Sequence, residues 1–203
     1  MQVIPIKSQD THNWLKYIHY AKRIPNIMYA FGLYDDNKLL GIVTYGMPAS
    51  PFLCKGIAGE ENKNIVLELN RLVFENPIKN GASILVGNSL KLLPKPSIVV
   101  SYADTAQGHV GYVYQACNFI FTGTTKERTD MASEDGKHSR HSKGDSTQRV
   151  FRSAKHRYIF ICGNKTQKKS LLNQIKYKQE SYPKGDSLRY EINSSIQVQN
   201  LLI

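Results

Sequence analysis

A chain of 203 residues has the length of one domain with a sizeable core and room for a basic extension. Its apolar content of 41% is ordinary for a globular protein, and no apolar run reaches the ~20 residues that cross a bilayer; MQVIPIKSQDTHNW also lacks the pattern of a secretory signal, so a soluble, cytoplasmic protein is expected. The net charge of +11 is uneven, with 11 Lys/Arg against 8 Asp/Glu over residues 1–118 and 16 against 8 over 119–203, so the C-terminal part is the expected phosphate-binding surface.

Residues 2–7 (QVIPIK) suit a short edge strand, and Ser8–Ala21 reads as a helix with Trp14, Leu15 and Ile18 on one face, ended by Pro25. Met28–Tyr34 and Leu39–Tyr45 are β-rich runs joined by Asp35-Asp36-Asn37-Lys38, a hairpin. After a loop from Gly46 to Lys63, Asn64–Phe74 alternates as a third strand. Asn80–Leu93 has helical spacing behind a glycine turn and is stopped by Pro94 and Pro96. Ser97–Tyr102 is the apolar run of a central strand, with Asp104 just past its end. A short helix over Gly108–Asn118 and a strand over Phe119–Thr125 follow. Lys126–Ser153 is polar and reads as a long flexible loop. Tyr158–Cys162 returns as a strand, Lys165–Tyr177 as a basic helix, and the tail beyond Tyr182 carries no pattern. The fold class is α+β (α/β-like), a single domain on a mixed central sheet flanked by helices with a basic C-terminal extension. Its core spans 1–125, the loop 126–153, and 154–203 completes the same domain.

Cys54, Cys117 and Cys162 lie far apart without CxxC spacing, so neither a disulfide framework nor a cysteine zinc site is indicated, and buried, reduced thiols are expected. The segment from Ser101 to His109 (SYADTAQGH) is the strongest local site signal, because ligands of open α/β sheets gather outside the carboxyl ends of strands. Asp104 there suits a hard metal ion or a proton acceptor, with His109, Tyr112 and Tyr114 close by in sequence; a helix-capping Asp104 and packed tyrosines read equally well. The turn Asn80-Gly81-Ala82-Ser83 offers free N–H groups to an anionic cofactor, or is simple turn chemistry. His19 and Tyr20 by themselves read first as a packing pair at a helix end. Lys155, Arg157, Lys168 and Lys169, interleaved with Phe151, Tyr158 and Tyr177, suit phosphate contacts and base stacking, or a solvated basic face. Lys137–Lys143 (KHSRHSK) reads as a DNA-contacting loop rather than a metal site.

Several separated segments together resemble the bacteriophage Mom family: YIHYAKRIP at 17–25, GMPASP at 46–51, LELNRLVF at 67–74, SYADTAQGHVGYVYQACNFIFTGTT at 101–125 and KHRYIFICGNKTQKKSLL at 155–172. The resemblance covers about Trp14 to Pro183. It implies a fold similar to the GNAT acyltransferases and conversion of adenine in double-stranded DNA to N6-carbamoylmethyladenine, which would protect phage DNA from host restriction in an infected or lysogenic bacterium. It further implies His19, Tyr20, Asp104 and Tyr114 as catalytic residues, with iron(II) held by His19, Tyr20 and Asp104. The expected DNA contacts are Lys126, Arg128, Arg140, Lys155, Arg157, Lys168 and Lys169. KNGAS at 79–83 departs from the glycine-rich pyrophosphate turn of the acyltransferases, so the group donor stays open between acetyl-CoA and a glycyl donor such as charged tRNA. A glycyl group on an amine is an isomer of the carbamoylmethyl group. Competing expectations are a GNAT-type N-acetyltransferase on a protein or small molecule and a non-catalytic DNA-binding protein; oligomeric state is open, with a dimer compatible.

Overall fold

The computed structural model describes residues 1–131 and 149–185 and the backbone of 201–202. In chain order its elements are β1 (Gln2–Pro5), β2 (Tyr29–Asp35), β3 (Lys38–Gly46), α1 (Pro51–Ala58), β4 (Val66–Phe74), α2 (Gly81–Leu92), β5 (Ser97–Asp104), α3 (Tyr112–Ala116), β6 (Ile120–Thr124), β7 (Arg128–Met131), β8 (Arg149–Arg152), β9 (Lys155–Cys162), α4 (Lys165–Leu172) and β10 (Leu201–Leu202). The expected mixed central sheet is present, in the order β1-β2-β3-β4-β5-β9-β6. Only β4 and β5 run parallel; every other neighbouring pair in it is antiparallel. No helix of the described residues is long and apolar enough to cross a membrane.

Alternation along the strands puts apolar residues on both faces. On one face α2 contributes Leu85, Val86 and Leu90 to a core with Phe31, Val43, Tyr45, Leu69, Val99 and Phe119. On the other, Cys54, Ile57 and Ala58 of α1 and Leu171 of α4 pack on Val66, Ile98, Val100 and Ile159. Leu15 covers Ile42 and Val73 further along that second face. Two clusters therefore share it, and the space between them is not filled by apolar side chains.

Five expectations need correction. Ser8–Ala21 is not one α-helix but a 3-10 turn at Ser8–Thr11 and a π-helical turn at Trp14–Ile18, after which His19 is extended. The loop after β3 contains a helix, α1, whose Cys54, Ile57 and Ala58 at i, i+3 and i+4 are buried. Asp104 is the last residue of β5, paired opposite Lys155, because β9 begins at Lys155 rather than Tyr158. Lys126–Ser153 is not loop throughout: Arg128–Met131 and Arg149–Arg152 pair as antiparallel strands, and β10 joins β8. The final helix stops at Leu172, where Asn173 ends it, instead of running to Tyr177.

A Cβ at Gly46 would run into the backbone carbonyl oxygen of Asn26, which cannot swing aside as a side chain can. Gly46→Ala is therefore expected to cost about 1–3 kcal/mol, as overpacking does. That lowers the melting temperature by roughly 2–4 °C per kcal/mol for a chain of this size; an unchanged thermal transition by calorimetry would contradict the contact.

Candidate active site

The parallel pair of the sheet holds together over only three residues, Val66–Glu68 against Ile98–Val100. Beyond them β4 stays with β3 as far as Phe74, while β5 stays with β9 as far as Asp104, so the two strands part. The register of β4 against β3 slips at Thr44 and Tyr45, leaving Asn70 as an extra residue; such a bulge bends a strand. Asn70 is tied there by Thr44 Oγ1, which donates to its Oδ1 at 2.6 Å, and by its own Nδ2 donating to the Asn26 carbonyl at 2.9 Å. At the fork itself Ser101 Oγ donates to the Leu69 carbonyl at 3.1 Å, a side chain standing in for the missing ladder.

The fork opens into a cavity of about 1870 Å³. Small-molecule pockets run to roughly 300–1,000 Å³, so this one has room for two reactants. Glu68, Tyr102 and Asp104 enter it from one face of the sheet, Ala103, Tyr114 and Ser83 from the other. Most of its charge is positive, from Arg23, Arg71, Lys126, Arg128, Arg152 and Lys155 among others.

Glu68, on β4, has no side chain hydrogen-bonded to its carboxylate among the described residues. Burial pushes its pKa up, and Arg71, Arg23 and Lys155 pull it back only in part. Arg71 donates from Nη1 to the Asn70 carbonyl at 2.5 Å, while its buried Nε has no partner among the described residues. Asp104 is held differently. Burial alone would raise its carboxyl, but Lys155 Nζ, Ser153 Oγ at 2.5 Å and the Ala106 amide at 3.1 Å all donate to it and bring it below its usual value.

His19 is 6% exposed, its ring stacked on Tyr20 with centroids 4.4 Å apart, and Tyr20 lies 6.5 Å edge-on from His109. The Ala21 amide donates to His19 Nδ1 at 3.0 Å, which places the proton of a neutral imidazole on Nε2. Burial, then Arg71 and His109, lower its pKa to about 3, so the ring is neutral. Tyr114 packs between Phe119 and Tyr158; burial pushes its hydroxyl up to about 12 against a hydrogen bond with Ser101.

The fold thus brings His19, Tyr20, Asp104 and Tyr114 around one cavity, together with Asn80, Ala82 and Ser83 at the start of α2; Gly81 is buried within that helix's first turn. Lys126, Arg128, Lys155 and Arg157 also line it, whereas Lys168 and Lys169 do not. Arg157 is committed internally, donating to Thr122 Oγ1 and the Thr122 carbonyl and lying 3.4 Å over the Tyr177 ring. That contact also occupies Tyr177, and Tyr158 is wholly buried, so neither ring is presented to a base as the sequence suggested. Arg140 and the segment Lys137–Lys143 lie outside the described residues.

The donor set does not fit iron as arranged. His19 Nδ1 spends its lone pair on an amide and Nε2 carries the proton, both oxygens of Asp104 are occupied, and no three His, Cys, Asp or Glu side chains converge among the described residues. Glu68 and Arg71 were missed by sequence reading. Their signal was a carboxylate and a guanidinium breaking the apolar run of NIVLELNRLVF, at positions that alternation assigns to a covered strand.

The sequence matches the model of the Mom protein family over residues 1–184. It is similar to the methylcarbamoylase mom of Escherichia phage Mu, with 26% identity over 188 residues, covering 82% of this chain and 76% of that protein. Among solved structures it is similar to an N-acetyltransferase from Staphylococcus aureus Mu50 (TM-score 0.48, 14% identity, 79% of this chain and 98% of that one). It is also similar to a spermidine/spermine N-acetyltransferase from Vibrio cholerae (TM-score 0.47, 12% identity, 85% and 95%).

His19 gives the site a pH signature. Its folded pKa of about 3 lies below the ordinary 6.5, so in that window the unfolded chain binds a proton the folded one refuses. Stability from this group is full above pH 6.5 and falls as pH drops towards 3, by a few kcal/mol at most. Denaturant titrations at pH 7, 5.5 and 4.5 should show this loss, and His19→Gln should flatten it; equal slopes in the two proteins would count against a neutral buried His19.

Proposed function

Because the chain belongs to the Mom protein family, as its match over residues 1–184 shows, we propose that it is a DNA-modifying transferase that converts adenine in duplex DNA to N6-carbamoylmethyladenine and so shields phage DNA from restriction. The similarity to a protein named a methylcarbamoylase supports the transferred group, and the excess of positive charge supports the polyanionic substrate. The observation that carries the reading is Glu68: a carboxylate sunk among cations, with no hydrogen-bonding side chain, in a cavity large enough for an extruded base and a donor.

The exposed Lys126 and Arg128, with Arg152, contact phosphates and set the register of the duplex, without reading sequence. The target adenine leaves the stack and enters the cavity, since its N6 cannot be reached inside a base pair. The N6 lone pair is delocalised into the ring, so bond formation needs a proton acceptor. The N6–carbonyl carbon bond forms as the ester C–O bond breaks: one N6 proton passes to the Glu68 carboxylate and the ester oxygen departs with its bonding pair. The N6-glycyl amide so formed becomes the isomeric carbamoylmethyl group by an internal exchange that moves N6 to the methylene carbon and the glycyl nitrogen to the carbonyl carbon, with no atom gained or lost. His19 Nε2–H donates to the negative charge growing on the donor's carbonyl oxygen, and the guanidinium of Arg71 adds positive charge beside it. Asp104 acts through Lys155, fixing an ammonium at the mouth. A glycyl ester such as charged tRNA supplies every atom of the added group, and label from isotopic glycine in the modified adenine would be its signature.

Nucleoside mass spectrometry of plasmid DNA from expressing cells tests the reading. Wild type should add the carbamoylmethyl mass to adenine, and unmodified adenine would sink the function. Glu68→Gln should lower modification about 10²–10⁴-fold, the usual worth of a general base. A burial-raised pKa means the base form appears only as pH rises through it, so the wild-type rate should climb with pH above the ordinary carboxylate range and Glu68→Gln should abolish that climb. Asp104→Ala should fold and bind DNA yet modify it poorly.

A further inference from the structure

The segment from Met47 to Phe52, the connection from β3 and the first turn of α1, has no role in the chemistry above, yet it carries two apolar side chains where packing does not call for them. Phe52, in the first turn of α1, is 82% exposed, the largest exposure among the large apolar residues described. Met47 is 41% exposed and lines the cavity, as do Pro48, Pro51 and Leu53 around them. The inward residues of α1 are Cys54, Ile57 and Ala58, so Phe52 contributes nothing to the core beneath it. The backbone that bears these two residues is braced: Pro48 is buried, Pro51 fixes the start of α1, and Gly46 abuts the Asn26 carbonyl. An apolar ring on a stiff mount, carried between two residues that line a cationic cavity, is placed to meet the inside of a duplex that the cations draw down.

We propose that Phe52, backed by Met47, is a wedge that inserts into the DNA base stack and fills the gap left by the adenine that enters the cavity. Resting on the DNA-modifying reading, this names how a paired base becomes available to Glu68. Extrusion exposes two base faces to water and orphans the opposite thymine. An aromatic side chain in the vacated slot restores stacking on those faces and slows the return of the base, as apolar wedges do elsewhere when they part base steps. Charge complementarity favours this occupant: Pro51 and Leu53, on either side of Phe52 in the chain, line the same cavity as Arg23, Lys126, Arg128 and Arg152, and a duplex presents its stacked bases between two rows of phosphates.

The test uses the full chain, plasmid DNA and permanganate, which oxidises thymines that have lost their stacking. Wild type should bind the plasmid and render permanganate-sensitive the thymines opposite the adenines it modifies. Phe52→Ala should bind with unchanged salt dependence and melt at the wild-type temperature, yet lose thymine reactivity and adenine modification at least tenfold. Phe52→Trp should retain both. Modification by Phe52→Ala at the wild-type level overturns the wedge, as does lost modification with thymine reactivity intact, which would make Phe52 part of the pocket. A change of oligomeric state in Phe52→Ala also overturns it, by giving the ring a second copy as its partner. Absence of modified adenine with the wild type would instead overturn the underlying reading.

Discussion

The parting of two parallel strands is the constraint on which the rest of this molecule depends. A continuous ladder between β4 and β5 would close the sheet, and the residues beyond Glu68 and Val100 would be ordinary core. Beyond that point each strand is instead held by a different antiparallel neighbour, and β4 carries a bulge at Asn70. Past Glu68 and Val100 each strand keeps its outer neighbour and the central ladder stops, so a cavity forms where two rows of strand residues face each other without a ladder.

Electrostatics follows from that geometry. Glu68 and Asp104 stand in the same cationic cavity and are driven in opposite directions. Asp104 receives three hydrogen bonds that bring its pKa down, while burial pushes Glu68, which has no such bonds among the described residues, towards its neutral form. Environments that separate the pKa values of neighbouring acids separate their roles: one holds an ammonium in place, the other can exchange a proton. The neutral His19 and the guanidinium of Arg71 line the same cavity.

Much of the fold was legible in local pattern. The β2–β3 hairpin, β4, α2 and the buried strand β5 stand within a few residues of where alternation, helical spacing and turn residues put them. Elements that depend on a partner were not legible. Helix α1 is only eight residues long and contains Gly56, too weak a signal to separate from loop, and it exists because Cys54, Ile57 and Ala58 find apolar cover. β7 and β8 are polar strands whose backbones pair with each other, and polarity alone reads as loop. The π-helical turn at Trp14–Ile18 has no signature of its own in an amphipathic segment.

The sequence by itself determined the class of the domain, the sign and location of its charge, and the family to which the chain belongs. Those properties live in composition and in short-range period, and they survive without knowledge of neighbours. Tertiary structure alone decided that Glu68 and Arg71 line the cavity, that Asp104 belongs to Lys155, that Arg157 is spent on Thr122 and Tyr177, and that Phe52 stands exposed. Burial, the partner on the adjacent strand and the distance between side chains far apart in the chain set those outcomes, and none of them is a function of any one segment.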